Sequence, residues 1–390
     1  MKVFGYKLFR SMTHLACRFC KDESATHVVD PLLDLRYRFE DMEGLKRMLE
    51  ARRLKVNAED VAANYHRWWN VYTKWRDSAV ELQTGNVVHD RELKQRMLKE
   101  SEGLLGALNL PNDLSSFPVF EEANSSDSNV ESVQWNKYMS FLRRAGMIRI
   151  EPSLSNAHLV GLPASLQYSL YKLLREELTD NVLNVSPPYF VRGAIIDGVN
   201  LSRKCFPHFA SDSHKKSFLY LTGHSISSMV ALFVKKSLVL KTNRWPLRLL
   251  SSGASYDVPS GSPSSILNLN NISQRAKTVL LSLCRTEEEE EIEFNYLVKS
   301  VQTILERKLS KKIILSHIPA HKLLYFESAA VGLSTTGFEV ARICTIGSYI
   351  SRRLCILLDL KPGNVDFVRM VFVDIDLTRI YKWTDGSRSM

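Results

Sequence analysis

The sequence predicts an α+β protein in which an N-terminal antiparallel helical hairpin, a coiled-coil arm, precedes a larger domain built on an antiparallel sheet flanked by helices. Three observations carry this prediction. Val61, Tyr65, Trp68, Tyr72, Trp75, Ala79 and Leu82 recur at alternating spacings of four and three, the seam of a heptad repeat. Residues 112–130 then turn to Ser, Asn, Asp and Glu, with Pro111 and Pro118 beside them, a composition too polar to fold alone. Beyond them, β-rich runs at 313–318, 323–333, 338–346, 355–360 and 365–377 follow one another without intervening helices, as antiparallel sheets do. The chain divides accordingly into a leader at 1–24, the arm at 25–111, a linker at 112–134 and a sheet domain at 135–390.

Composition narrows the class first. With 390 residues, 45% hydrophobic and 24% charged, the chain has enough apolar surface for a sizeable core, which excludes a mostly disordered protein. The longest apolar stretch, Met229 to Val234, is far below the roughly 18 residues that a membrane-spanning helix needs. The net charge of +10 suits a partner of polyanions. Six scattered cysteines are too few for a disulfide framework and fit a reducing compartment.

Each segment adds its own signal. The first 21 residues hold Lys2, Lys7, Arg10, Arg18 and Lys21 with no acid, and apolar residues are interleaved. That is the composition of a mitochondrial transit peptide, which places the mature chain in the mitochondrial matrix; a frayed basic tail is the other reading. Cys17 and Cys20 lie in this leader without a second ligand pair, so no metal site is expected there. In the arm, the first helix reaches roughly 30 Å, Gly85-Asn86 turns it, and Leu93, Met97, Leu104 and Leu108 resume the stripe. Away from the seam lie Arg67, Lys74, Arg76, Arg91, Lys94, Arg96 and Lys99. They are either a solvated coiled-coil face or a basic surface that touches nucleic-acid phosphates.

After the linker, Leu162, Leu166, Leu170, Leu173, Leu174 and Leu178 mark an amphipathic helix, and residues 182–185 run extended into Pro187-Pro188. Residues 201–248 carry nine basic residues, among them Lys215, Lys216, Lys235 and Lys236, against Asp212 alone. Interleaved aromatics hold this charge on a folded surface, a better candidate for polyanion binding than the arm. A helix is predicted over 287–308, with the acid run at 287–291 as its solvated first turn. No phosphate-cradling glycine loop, metal motif or nucleophile elbow is present, and His208, His214 and His224 have no partnered nucleophile at a recognisable spacing. No cofactor is expected.

The order of parts resembles the seryl-tRNA synthetases, which are class II aminoacyl-tRNA synthetases. LLDLRYRFEDMEGLKRMLEARR (32–53) is similar to the opening that precedes their arm, and LNLPNDL (108–114) to the return from it. Residues 183–190 resemble motif 1, whose helix and strand form the dimer interface in that class; the resemblance implies interface roles for Leu170, Leu174, Val185, Pro187 and Pro188. YLTGHSISS (220–228), WPLRLLSSGASYDVP (245–259) and FEVARICTIGSYISRRL (338–354) can be laid on successive active-site segments.

The departures fall on the chemistry. Ile226 stands where the family has a glutamate that recognises the substrate's amino group, and Asp257-Val258-Pro259 stands where an arginine holds the α-phosphate of ATP and a glutamate follows it. Thr345-Ile346-Gly347-Ser348 replaces a stretch with a serine-binding asparagine. The motif 3 segment VFVDIDLTR (371–379) keeps Arg379, lacks glycine and adds Asp374 and Asp376. An anion in place of a phosphate-binding cation removes a contact worth on the order of 1.5–3 kcal/mol and adds repulsion. The resemblance therefore implies a degenerate mitochondrial paralogue that is not an enzyme, that binds mitochondrial tRNA-Ser and that forms a heterodimer with the active mitochondrial seryl-tRNA synthetase. A divergent but still active ligase using Glu339, Arg352 and Arg379 is the alternative.

Overall fold

A computed structural model describes residues 32–81, 87–115, 140–151, 156–178, 181–210, 218–239, 244–258, 272–309, 312–335, 338–361 and 364–380. The leader at 1–24, the Gly85-Asn86 turn and residues 116–134 of the predicted linker lie outside these residues.

In the arm, α1 (Met42–Ala51) starts at Asp41, whose carboxylate accepts the Gly44 N–H. α2 (Ala58–Glu81) carries the predicted seam, with Tyr65, Trp68, Tyr72 and Trp75 all buried. The return comes in two pieces, α3 (Val87–Lys99) and α4 (Ser101–Leu108), whose Met97, Leu104 and Leu108 pack into the same core. α4 crosses α2 at Gly103, where a Cβ would lie 2.2 Å from the Asn64 carbonyl oxygen. Tyr65 ties in the extended residues ahead of α1: its hydroxyl donates to the Leu33 carbonyl at 2.9 Å and accepts the Leu35 N–H at 2.8 Å.

The linker expectation is corrected at its start. Asn112 is buried, and its amide donates to the carbonyls of Phe326 and Ile346, each at 2.8 Å. The Ser115 N–H donates to the Ser328 carbonyl at 3.1 Å. Residues 112–115 are thus sewn into the body, polar side chains serving as hydrogen-bond partners for otherwise orphaned carbonyls. Arg52 adds bonds to the carbonyls of Asn112, Leu324 and Glu327, and the Tyr349 hydroxyl donates to the Leu110 carbonyl at 2.7 Å.

The body opens with the hairpin of β1 (Ile148–Glu151) and β2 (Asn156–Leu159), then α5 (Leu162–Glu177) and β3 (Val182–Asn184). β4 (Phe190–Arg192), α6 (Gly193–Val199), β5 (His208–Ala210), β6 (Phe218–Leu221), α7 (Ile226–Ala231) and β7 (Ser237–Val239) lead to the long strands β8 (Leu247–Tyr256) and β9 (Gln274–Cys284). α8 (Glu287–Leu309), β10 (Ile314–His317), β11 (Ala329–Thr335), β12 (Phe338–Gly347), α9 (Tyr349–Leu354), β13 (Leu357–Lys361), β14 (Asn364–Phe367), β15 (Arg369–Asp376) and α10 (Leu377–Ile380) follow. Among the described residues the main sheet runs β10-β11-β12-β15-β9-β8-β3, antiparallel throughout except for the parallel edge pair β3 and β8. The predicted run at 365–377 breaks at Val368, so that β14 and β15 enter different sheets. The run at 323–333 becomes strand only from Ala329.

Alternation along the strands gives the sheet two faces. One is closed by α5 and α8, whose Leu170, Leu174, Leu297 and Val301 pack against Leu280, Val371 and Val373. The other is closed by α6, α7 and α9 over Val279, Leu281 and Phe372. The acid run heading α8 is not wholly solvated: Glu290 is buried and accepts from Arg369 at 2.6 Å and from the Gly347 N–H at 2.8 Å. A buried carboxylate requires such partners, which the acid-run reading did not foresee.

Candidate functional site

Beyond the core under α6 and α7, the second face of the sheet turns from apolar to charged. β9 shows the change within one strand, because Leu283, Leu281 and Val279 enter the core while Lys277 and Arg275 continue the same face. β15 does likewise, from Met370 and Phe372 to Asp374 and Asp376, and β12 contributes Arg342 opposite Asp374. These residues form a floor beside the segments that sequence reasoning had laid on the synthetase active site.

Each of the four cations on the floor is held by a carboxylate. Lys277 Nζ lies 2.8 Å from Asp374, and Arg275 and Arg379 lie 3.3 and 3.2 Å from Asp376. Arg342 forms a two-pronged pair with Glu327 at 2.8 and 2.6 Å, and a looser one with Glu339 at 3.8 Å. Burial works against the Lys277 charge, but Asp374, Asp257 and Asp376 outweigh it and hold the ammonium above its ordinary value. Burial pushes the Glu339 carboxyl up, opposed by Arg342 and Arg379. Asp257 therefore acts as a counter-charge to Lys277 where the resemblance implies a phosphate-binding arginine. Pro259 lies outside the described residues.

His224 fills the hollow above β8. Its Nδ1 is 2.6 Å from Ser251 Oγ, Tyr189 meets the ring edge-on at 5.3 Å, and a Cβ on Gly253 would strike Nε2 at 2.1 Å. Burial lowers its pKa, which favours the neutral ring. Ser225 caps α7 through a reciprocal pair with Ser228, and Ile226 turns into the core beside Met229 and Val230. Thr345 is fully buried with its hydroxyl 2.7 Å from that of Ser328. Beside the floor, a cleft of about 470 Å³ opens between α5 and β9, lined among others by Tyr168, Tyr171, Gln274 and Arg275.

Arg352, expected near the floor, and its neighbour Arg353 lie elsewhere. Arg353 donates to the carbonyls of Leu108, Gly198 and Asp197, clamping the arm's exit to the body. Arg352 lies between Tyr37 and Phe367 at the arm root, so the trio of Glu339, Arg352 and Arg379 is not assembled. Glu339 and Arg379 do meet, through the Glu339 carbonyl at 2.9 Å.

The predicted basic residues separate into groups. On the arm, Arg67, Lys74, Arg91, Arg96 and Lys99 are exposed, while Arg76 and Lys94 are half-buried. α2 and α3 also carry Glu59, Asp60, Asp77, Glu81, Asp90 and Glu92, so the arm is far less cationic than its basic residues alone indicate. Lys235 and Lys236 stand exposed in the turn before β7, on the body, and Lys215 and Lys216 lie outside the described residues.

The residues assigned to the interface divide between the core and the surface. Leu170 and Leu174 are turned into the chain's own core against Leu250 and Leu280, because the leucine stripe of α5 is consumed by the sheet. Val185 is half-buried and hydrogen-bonded to Leu250, Pro187 is buried, and Pro188 is exposed. The apolar surface left open on these elements is Leu162 and Tyr168 of α5, 65% and 71% exposed, with Leu183 of β3 at 57%.

Sequence reasoning missed Arg275, Lys277, Arg342 and Glu327. The abrupt change of alternate residues in β9 from Leu and Val to Lys and Arg was a usable signal for the first two; Glu327, in the turn before β11, offered none.

No protein-family model matches the sequence, and no curated protein matches it significantly. Solved structures do. The cytoplasmic serine-tRNA ligase of Naegleria fowleri, in complex with AMP, superposes with a TM-score of 0.71 at 13% identity, covering 92% of this chain and 94% of that one. The seryl-tRNA synthetase of Pyrococcus horikoshii, complexed with ATP, gives 0.60 at 15% identity over 98% and 93%. The prolyl-tRNA synthetase of Giardia lamblia, with prolyl-adenylate, gives 0.58 at 13% identity over 66% and 52%. At these identities the likeness is one of fold, and the chain has the α+β fold of a class II aminoacyl-tRNA synthetase.

Proposed function

We propose that this chain is a catalytically inactive seryl-tRNA synthetase-like protein, a degenerate mitochondrial paralogue that binds tRNA-Ser in the matrix and pairs with the active mitochondrial seryl-tRNA synthetase. The pairing on the floor carries the reading. Lys277, Arg275, Arg342 and Arg379 are neutralised by Asp374, Asp376 and Glu327, while Glu339 and Asp257 add further negative charge. A triphosphate entering there has to displace carboxylates from partly buried cations and then face them, which costs several kcal/mol. Ile226 in the core and His224 in the hollow above β8 support the same conclusion for the amino-acid end of the site. Serine-dependent ATP–pyrophosphate exchange tests it. The expected result is the no-protein blank, and a rate well above the blank overturns the reading in favour of a divergent ligase.

The binding roles rest on what the fold leaves exposed. The arm cations Arg67, Lys74, Arg91 and Arg96 face outward and are the candidates for tRNA phosphates. Leu162, Tyr168 and Leu183 are the candidates for the partner subunit, in place of Leu170 and Leu174. On co-expression with the mitochondrial synthetase the two chains should co-elute in size-exclusion chromatography, and Tyr168→Asp with Leu183→Asp should release the synthetase while leaving this chain folded. A wild-type chain that elutes alone beside excess synthetase removes the heterodimer.

A further inference from the structure

The cleft between the arm root and the body contains three arginines, and they are not equivalent. Arg38 is paired with Asp113, and Arg369 is paired with Glu290 at 2.6 Å and Glu287 at 3.4 Å. Arg352 has no carboxylate partner among the described residues. Its guanidinium is sandwiched between the rings of Tyr37 and Phe367, at 4.7 and 4.8 Å, and Nε is anchored on Ser348 Oγ at 2.8 Å. The two terminal nitrogens are therefore held in a fixed plane without an anion. Beside them is a cavity of about 200 Å³, which the hydroxyl-bearing Ser115, Ser328 and Ser348 help to line.

This arrangement differs from an ordinary surface arginine in its loss of freedom. Two aromatic faces and the Nε bond fix the fork before any ligand arrives, so little side-chain entropy is lost on binding. A planar fork presents two parallel donors, which suits a phosphate better than a point charge does. Glu287 and Asp113 on the rim disfavour a free, multiply charged anion, whereas a singly charged phosphodiester meets less repulsion. The cleft also lies where the arm, with its outward cations, joins the body.

We propose that Arg352 is a phosphate-binding site at the arm root and takes a backbone phosphodiester of the RNA that the arm engages. The second half of this statement rests on the RNA-binding reading above, whereas the anion site itself does not.

The test uses the full chain, its Arg352→Gln and Arg352→Lys variants, a tRNA-Ser transcript and dimethyl phosphate, a singly charged phosphodiester. Arg352→Gln should weaken transcript binding about tenfold and lower the slope of log affinity against log salt by about one unit. Arg352→Lys should keep the slope while losing part of the affinity. In parallel, the Arg352 side-chain nitrogen resonances, identified by their absence from the Gln variant, should move on titration with dimethyl phosphate. Resonances that move in a chain that does not bind the transcript uphold the anion site and remove its RNA ligand. Transcript binding with an unchanged slope in Arg352→Gln and static resonances overturns the proposal, leaving the sandwich as an arm-to-body strut that shows only in thermal stability.

Discussion

The arm and the floor of the sheet both present rows of arginine and lysine, and they do so to opposite ends. On α2 and α3, Arg67, Lys74, Arg91 and Arg96 extend into water, and so do the acids Asp77 and Glu92. On the floor, Lys277 and Arg342 are shielded and each is locked to a carboxylate, Glu327 being 1% exposed. An exposed cation keeps its reach for a phosphate because releasing its neighbours costs almost nothing; a shielded one in a matched pair has spent that capacity on the fold. Residue type alone therefore does not locate an anion site, whereas the carboxylate that faces each cation does.

Removing a partner should have very different consequences in the two regions. Glu327→Ala leaves Arg342 in a shielded site with Glu339 at 3.8 Å and also removes the acceptor of the Leu324 N–H. The expected loss is about 3–5 kcal/mol in denaturant-induced unfolding. The matching change on the arm, Asp77→Ala beside Arg76, should cost less than about 1 kcal/mol, since Asp77 is exposed and Arg76 no more than half-buried. Similar losses at the two sites would break the contrast.

The contrast reverses for RNA. Changing Arg67, Lys74, Arg76, Arg91, Lys94 and Arg96 together to Glu should reduce tRNA affinity by about a hundredfold or more and flatten its salt dependence, each lost phosphate contact taking about one unit from the slope. Unfolding free energy should change little, because none of these residues is fully buried. If binding and slope persist, the arm charge is solvation and Lys235 and Lys236 become the surface to examine.

How much of this was legible varies with the distance over which the signal acts. The aromatic edge of α2 is a local pattern, and Tyr65, Trp68, Tyr72 and Trp75 are buried as their spacing required. β8 is the opposite case. Its Ser251-Ser252-Gly253-Ala254 stretch has weak strand propensity and is held extended by pairing with β9, through bonds such as that between the Ser252 and Thr278 hydroxyls at 2.9 Å. Leu170 and Leu174 were legible as an apolar stripe, yet a stripe does not say whether the chain's own sheet or another subunit covers it. Glu290 read as one acid in a run of five, and only its pairing with Arg369, far along the chain, explains its burial.

The smallest expected effect tests whether His224 is held as a neutral element of the closed floor. Desolvation lowers its pKa in the folded chain, so at mildly acidic pH the unfolded chain, with an ordinary value near 6.5, binds more protons than the folded one. Stability should then be complete above about pH 6.5 and decline as the pH falls below it, by no more than about 1.4 kcal/mol per pH unit from this group. His224→Asn leaves an amide that can reach Ser251 Oγ and removes the titration. Urea unfolding across the acidic range should therefore give a shallower decline for the Asn variant than for the wild type. Parallel curves would mean that the ring accepts its second proton without penalty, with Nε2 above Gly253 reaching water. In that case the hollow over β8 is open to solvent, and the distinction drawn between a closed floor and a solvated arm fails at the point where the sheet meets His224.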